Sequence, residues 1–243
     1  FSALLEIDRR GDTVAQRFVR GVIRSAARMT YTEVHLLLEG DPGLRKTYAP
    51  LVERFEIMRE LAQILNRKRM RRGAIDFDLP EPLIEFDEWG EMTGVKRAPR
   101  NIAHRIIEEF MLAANEAVAS HAAARGMPFL YRIHEEPDPQ RVLEFEQVAA
   151  QFGYSLGAEA VLARRYPVVD RRSDGRKIRK DVVVAQAGAL TSRNYQRLVA
   201  KLEGKPEERI LSYLMLRSLK QARYSERNAG HFALAAAAYT HFT

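Results

Sequence analysis

Across residues 44–78 the spacing of apolar side chains changes at a single glycine. From about Leu44 to Arg71, Leu51, Phe55, Met58, Leu61, Ala62 and Leu65 recur three and four positions apart, which marks one face of an amphipathic helix. The basic run Arg67, Lys68, Arg69, Arg71, Arg72 closes it, where cations suit the helix dipole. After Gly73, in "AIDFD", Ile75 and Phe77 alternate with Asp76 and Asp78, the period of a strand. A chain that changes period so abruptly mixes helix and strand within a few residues.

The same interleaving recurs throughout. "SALLEIDRRGDTVAQRFVRGVIRS" reads as two strands about a turn at Arg9–Asp12, with Arg17, Arg20, Arg24 and Arg28 on the second strand region. "MTYTEVHLLLEGD" predicts a short helix capped by Thr30 or Thr32 and stopped at Gly40. "AIDFDLPEPLIEFDEWGEMTGV" predicts short strands with a turn near Trp89–Gly90. Pro99 suits the first turn of a helix reaching about Ala124, closed by Arg125 and Gly126. "PFLYRIH" reads as a strand, and "DPQRVLEFEQVAAQFG" as a helix with Asp138 as N-cap. Residues 155–190 are dense in charge and turn formers and read as an irregular or two-stranded insertion. Helices resume at "SRNYQRLVAKLEG" and "PEERILSYLMLRSLKQARY", and the tail from His231 reads as helical through its alanines. The expected class is α+β, a mixed or antiparallel sheet surrounded by several long helices.

The 243 residues are 46% hydrophobic, ample for the core of one large domain or two small ones. Lys and Arg number 39 against 32 Asp and Glu, a net charge of +7 that suits nucleic acid or another anionic partner. Cysteine is absent, which excludes disulfides, thiol catalysis and cysteine-ligated metal and fits a reducing cytoplasm. No apolar run approaches the ~18 residues of a membrane span. The chain starts with Phe1 in strand-like sequence, as expected of a piece of something longer.

The P-loop, G-x-G-x-x-G, G-x-S-x-G and H-E-x-x-H motifs are all missing, and the six histidines show no metal-ligand pairing on one helix. Asp76 and Asp78 point the same way on a strand and can hold Mg²⁺ given further ligands, although alternation alone makes them solvent-facing acids. Asn101, Glu108 and Asn115 are seven apart, a polar stripe suited to sugar hydroxyls or base edges. Equally, Glu108 and Glu109 can pair with Arg105 or with neighbouring strands. Arg132 lies on "YRIH", and Arg217 and Lys220 on the late helix. A basic channel lined with rings is what a single nucleic-acid strand needs, and Tyr31 and Phe77 are the rings nearest basic sequence. Without the fold, both read equally as half-buried core aromatics.

Five stretches in order, "FVRGVIRSAARMTYTEVHLLLEGD", "RGAIDFDLPE", "RIIEEFMLAANEAVA", "LYRIHEEPDPQRVLEF" and "LMLRSLKQARYSERNAGHFALAAAAYTHFT", resemble the RNB catalytic domain of the ribonuclease II / ribonuclease R family. The flavour is closer to ribonuclease R, and the stretches span nearly the whole chain apart from 155–190. The resemblance implies a processive, Mg²⁺-dependent 3′→5′ exoribonuclease that releases nucleoside 5′-monophosphates from single-stranded RNA. It implies that Phe77 stacks on a base near the RNA 3′ end, and that Tyr31 and Glu108 favour RNA over DNA. Arg132, Arg217 and Lys220 would contact phosphates, with Asn101 and Asn115 as further RNA-binding candidates.

The family's aspartate-rich metal motif and its S-P-I-R-R-Y-like arginine segment are not among these 243 residues, nor are the cold-shock and S1 domains. The chain is therefore expected to be the central-to-late part of the catalytic domain, with no catalytic or metal-ligating residue of its own and inactive by itself. RNA-decay or ribosome-associated machinery is the expected wider partner. Two alternatives stand beside this: an RNA-binding protein that keeps the fold without the metal site, and a helical protein-interaction module.

Overall fold

The glycine at which the apolar spacing changes is where the long helix ends. Gly73 takes φ 104°, and its N–H returns to the carbonyls of Arg69 and Met70. A Cβ at Gly73 would sit 2.5 Å from Arg193 Cγ, so both the backbone and the close approach of a later helix call for glycine. In this computed structural model the described residues are 1–77, 82–98, 100–157, 162–171, 177–186 and 190–243, with 162–171 and 177–186 described as backbone. Asp78 and Pro99 lie outside them.

β1 (Ser2–Ile7) and β2 (Thr13–Val19) form an antiparallel hairpin with a register shift between Glu6 and Ile7. Only Arg17 of the four spaced arginines lies on a strand; Arg20, Arg24 and Arg28 follow β2 in irregular backbone, where glycine and small residues interrupt the alternation. Helix α1 (Tyr31–Glu39) starts at Thr30, whose side chain caps Glu33 N–H while Glu33 returns to Thr30, and stops at Gly40 in the left-handed region. The predicted helix from Leu44 is in fact two. α2 (Pro42–Thr47) ends at Tyr48, and α3 (Ala49–Arg72) restarts with Pro50 in its first turn, because proline has no N–H to continue a preceding turn.

Residues 74–77 follow as extended backbone rather than a paired strand; Ile75 N–H donates to Ala233 O at 2.7 Å instead of to a ladder. The strands come later, as the hairpin β3 (Pro82–Phe86) and β4 (Met92–Arg97), turned at Asp87–Glu91. α4 (Ile102–Ala124) runs from an Asn101 cap to Arg125 and Gly126. β5 (Tyr131–Ile133) leads to α5 (Pro139–Gln151), capped by Asp138. Within the charged stretch, β6 (Leu162–Arg171) pairs antiparallel with β7 (Lys177–Gln186). α6 (Ser192–Leu202), α7 (Glu208–Ser218) and β8 (Arg223–Ser225) complete the order, with β8 paired to β5. Lys220 lies just past α7 rather than on it.

The class is α+β, and among the described residues the strands form four separate two-stranded antiparallel sheets. Burial is therefore chiefly between helices. One core joins Val34 and Leu38 of α1, Ala62 of α3, and Ala103 and Ile106 of α4. The larger one joins Val142, Phe145, Tyr195, Leu198, Leu202, Leu211 and Met215 from α5, α6 and α7, and takes in Ile75.

The alanine-rich tail is not helical. His231 and Ala236 exchange backbone bonds of 2.8 and 3.2 Å about a tight turn, with Ala235 at φ 49°. Alanine's helix preference is worth only tenths of a kcal/mol per residue, and these backbone groups find partners on Ile75 and His134 instead. Ala236 and Ala238 are small enough to be buried there.

Candidate nucleic-acid interface

α4 organises the first group of predicted site residues. Asn101 Oδ1 accepts from Ala103 N–H at 3.1 Å and lies 2.8 Å from His104 Nδ1, so the cap also fixes the His104 ring. Tyr31, the first residue of α1 and 46% exposed, stacks on that ring with centroids 4.1 Å apart and planes at 21°. Glu108 lies one helical turn beyond His104 on the same side of α4. Its carboxylate accepts from Arg100 Nη2 at 2.9 and 3.1 Å. The same nitrogen donates to Asp76 Oδ1 at 3.0 Å.

Asp76 is thus ion-paired rather than solvent-facing. Beside it, Phe77 packs half-buried against the larger core and lines a cavity of about 550 Å³ with Arg97, Arg100, Arg105, Gln196 and Arg209. Burial works against charge on Arg100, but the hydrogen bond to Glu108 and the charges of Asp76 and Glu108 outweigh it and raise the guanidinium's pKa. Two residues that the sequence did not single out thus order the group: Arg100 ties Glu108 to the segment of Phe77, and His104, one turn before Glu108, carries Tyr31.

The basic run at the end of α3 is not a solvated helix end. Arg69 is buried, with Nη2 2.7 Å from Glu109 Oε1, and Asn66 Nδ2 donates to the same oxygen at 2.8 Å. Arg72 makes a bidentate pair with Glu116 at 2.6 and 2.7 Å and donates to Leu234 O at 3.0 Å. Lys68 Nζ reaches Gly11 O at 2.7 Å and Asp12 at 2.9 Å. Arg67 and Arg71 remain exposed. Three of the five cations thus tie α3 to α4 and to the first hairpin. Their acidic partners lie on α4 and in the hairpin turn, far away in sequence.

Arg132, Arg217 and Lys220 come together elsewhere, on a cleft of about 870 Å³ lined also by His134, Arg141, Glu144 and His231. The guanidinium of Arg132 lies 4.9 Å from the Tyr224 ring centroid, and that of Arg217 5.9 Å from Tyr213. Lys220 Nζ is 3.9 Å from Glu135. The cleft is framed by His134, a residue sequence reasoning missed. Its Nδ1 accepts from Ala233 N–H at 3.0 Å, its Nε2 donates to Lys220 O at 2.6 Å, and its main chain bonds Gly230 and Phe232. Burial lowers the pKa of His134, and burial, with the neighbouring His134 imidazole disfavouring a second cation, lowers that of His231 to about 3. The alternation of "YRIH" was the one signal that could have turned His134 inward.

Asn115 belongs to neither group. It is buried; its oxygen accepts from the N–H groups of Phe242 and Thr243 at 2.8 and 3.2 Å, and Nδ2 donates to Tyr239 Oη at 3.1 Å. The stripe seen in sequence is thus divided: Asn101 caps, Asn115 anchors the last residues, and Glu108 alone presents its charge beside the Phe77 cavity.

Among the described residues no group of three or more His, Asp or Glu side chains is placed to hold a metal ion. The carboxylate of Asp76 is already engaged by Arg100. These residues therefore do not fit a divalent-cation centre. None of the described helices is long and apolar enough to cross a membrane.

The architecture is that of small antiparallel hairpins set among helices around a polar, partly basic face, and comparison defines it further. The RNB domain profile matches residues 1–243, and the chain belongs to the RNB domain family. It is 38% identical over 243 residues to ribonuclease R of Aquifex aeolicus, covering 100% of this chain and 30% of that protein. It is 39% identical over 242 residues to ribonuclease R 1 of Lactococcus lactis, covering 26% of its length. The chain thus spans less than a third of these relatives. The apo form of Mycoplasma genitalium RNase R shares the fold at TM-score 0.76 and 22% identity, over 98% of this chain and 33% of that one. Yeast Ssd1, a pseudonuclease, shares it at TM-score 0.60 and 14% identity, over 99% of this chain and 26% of that one.

Proposed function

We propose that the chain is the RNA-gripping, central-to-late part of the catalytic domain of a processive 3′→5′ exoribonuclease acting on single-stranded RNA in the cytoplasm. The reading is carried by the RNB domain match along residues 1–243, and ribonuclease R of Mycoplasma genitalium has been solved with a ribose-methylated single strand of RNA. Phe77 is the base-stacking ring near the 3′ end. Tyr31 and Glu108 favour RNA, since telling RNA from DNA takes a hydrogen-bonding partner for the 2′-hydroxyl. Arg132, Arg217 and Lys220 contribute positive charge toward phosphates. Asn101 supports this face by fixing His104, whereas Asn115, buried against Tyr239 and Phe242, serves only the fold. The Mg²⁺ that such hydrolysis uses is assigned to residues outside those described.

The test is digestion of RNA labelled at either end by the full-length protein with Mg²⁺. Stepwise loss from the 3′ end to nucleoside 5′-monophosphates is expected; loss from the 5′ end contradicts the proposal. A second reading, an RNA-binding protein without hydrolysis, draws support from the shared fold of the pseudonuclease Ssd1. Tight RNA binding with no cleavage would decide for it. Phe77→Ala should lose about 1–3 kcal/mol of binding to a short RNA, the worth of one stacked base, read by fluorescence anisotropy.

A further inference from the structure

Arg100 bridges two acids that lie far apart in sequence. A single guanidinium nitrogen, Nη2, reaches Asp76 at 3.0 Å and both oxygens of Glu108 at 2.9 and 3.1 Å. Asp76 precedes Phe77 directly, while Glu108 stands on α4, 32 positions further on. The arginine therefore clips the segment that carries the ring to the helix that carries the carboxylate. Arg69, buried behind Glu108 at 3.8 Å, is mainly committed to Glu109 at 2.7 Å. The orientation of Glu108 thus falls chiefly to Arg100.

The electrostatics point the same way. Two carboxylates on a face that meets phosphates would repel the strand unless a cation offset them. Arg100 supplies that cation, yet Glu108 remains about a third exposed, at 35%, and a carboxylate has more acceptor sites than one nitrogen can fill. One lone pair of Glu108 can thus still accept from a hydroxyl. Packing on the core fixes Phe77, so the clip sets how far that acceptor stands from the base the ring holds.

We infer that Arg100 is a positioning residue for ribose recognition: it neutralises Asp76 and Glu108 and holds the Glu108 carboxylate at a set distance from the base on Phe77. The inference rests on the proposed role of Glu108 in preferring RNA. It assigns the preference to a three-residue unit instead of to the carboxylate alone. Lysine is a poor substitute, because a point charge on a flexible stem cannot fix the direction of two acids at once.

The test uses the full-length protein without divalent cations, so that RNA stays intact. It measures binding to a series of RNA oligonucleotides, each with one 2′-deoxyribose at a different position. The native protein should lose about tenfold in affinity at one position near the 3′ end, the worth of one hydrogen bond to a charged group. Glu108→Gln and Arg100→Gln should each flatten that single-position penalty, and the double variant should flatten it no further. Arg100→Lys, which keeps the charge and is the milder change to the fold, should leave the penalty reduced severalfold.

A fall in affinity that is uniform along the series, with the positional penalty intact in both Arg100→Gln and Arg100→Lys, would reduce Arg100 to a structural ion pair and overturn the inference. If Glu108→Gln alone removes the penalty, the inference fails while the reading of Glu108 stands. If Glu108→Gln leaves it untouched, both fail.

Discussion

The face around Phe77 and the cleft around Arg132 carry the same kind of side chain but are built by different means. Around Phe77, long-range ion pairs set the geometry: Arg100 joins two segments, and behind it Arg69 and Arg72 lock α3 onto α4. Around Arg132, main-chain bonds gathered by one buried neutral histidine set it, with His134 tying β5 to the chain on both sides at Lys220 and Ala233. The ion pairs at the first face are made by guanidinium groups, which themselves keep their charge throughout this range of pH. The imidazoles at the second stay neutral only while the solution leaves them so. The two should therefore fail under different stresses.

The largest effect is expected where the first arrangement is broken at its base. Arg69→Met leaves the Glu109 carboxylate buried without its cation, a change of about 3–5 kcal/mol in unfolding free energy by urea titration. Replacing both partners, Arg69→Met with Glu109→Leu, should recover most of that loss, because an apolar pair has no charge to desolvate. A double variant as unstable as the single one would show that the seam depends on more than the pair.

The second arrangement is broken with acid. The native pKa of His231 is lowered to about 3 by burial, by His134 and by Arg132, with His241 also near. The unfolded chain, with its histidine near 6.5, therefore binds the extra proton first. The stability from a neutral His231 is full above about pH 6.5 and declines as the pH falls from there toward 3. Burial lowers His134 in the same sense. Hydrogen exchange between pH 7 and 4.5, corrected for intrinsic rates, should show the backbone at 131–134 and 230–236 losing protection before that of α3 and α4. Equal loss in both regions would erase the contrast.

The smallest effect is expected from single cations of the second cleft. Arg217→Gln or Lys220→Gln should weaken RNA binding modestly and reduce the slope of log affinity against log salt by about 0.7 for each phosphate no longer neutralised. An unchanged slope would remove that residue from the strand's path.

How much of this could be read beforehand follows from the range of the forces involved. Helix ends written in local chemistry were legible: Thr30, one of the two caps offered, the Gly40 stop and the Asp138 cap stand where the sequence put them. Features that depend on distant partners were not. The basic run showed only cations suited to the helix dipole because Glu109 and Glu116 lie about 40 positions away. The alanines near the end carry a helical signal that their bonds to His134 and Ile75 override. At the candidate interface Phe77, Tyr31 and Glu108 could be singled out, but Arg100 and His104, which order them, carry no local mark of their own. Asn115 had the right spacing and the wrong surroundings, since spacing fixes a side of a helix but not what covers it.

The claim that Phe77 marks the path of the strand is tested most directly by photocrosslinking. RNA with 5-iodouridine at its last positions would be bound to the full-length protein without divalent cations, irradiated and mapped by peptide mass spectrometry. The account predicts attachment within residues 74–77, at Phe77, lost in Phe77→Ala. Attachment confined to residues 213–224, along the Arg132 cleft, would contradict it.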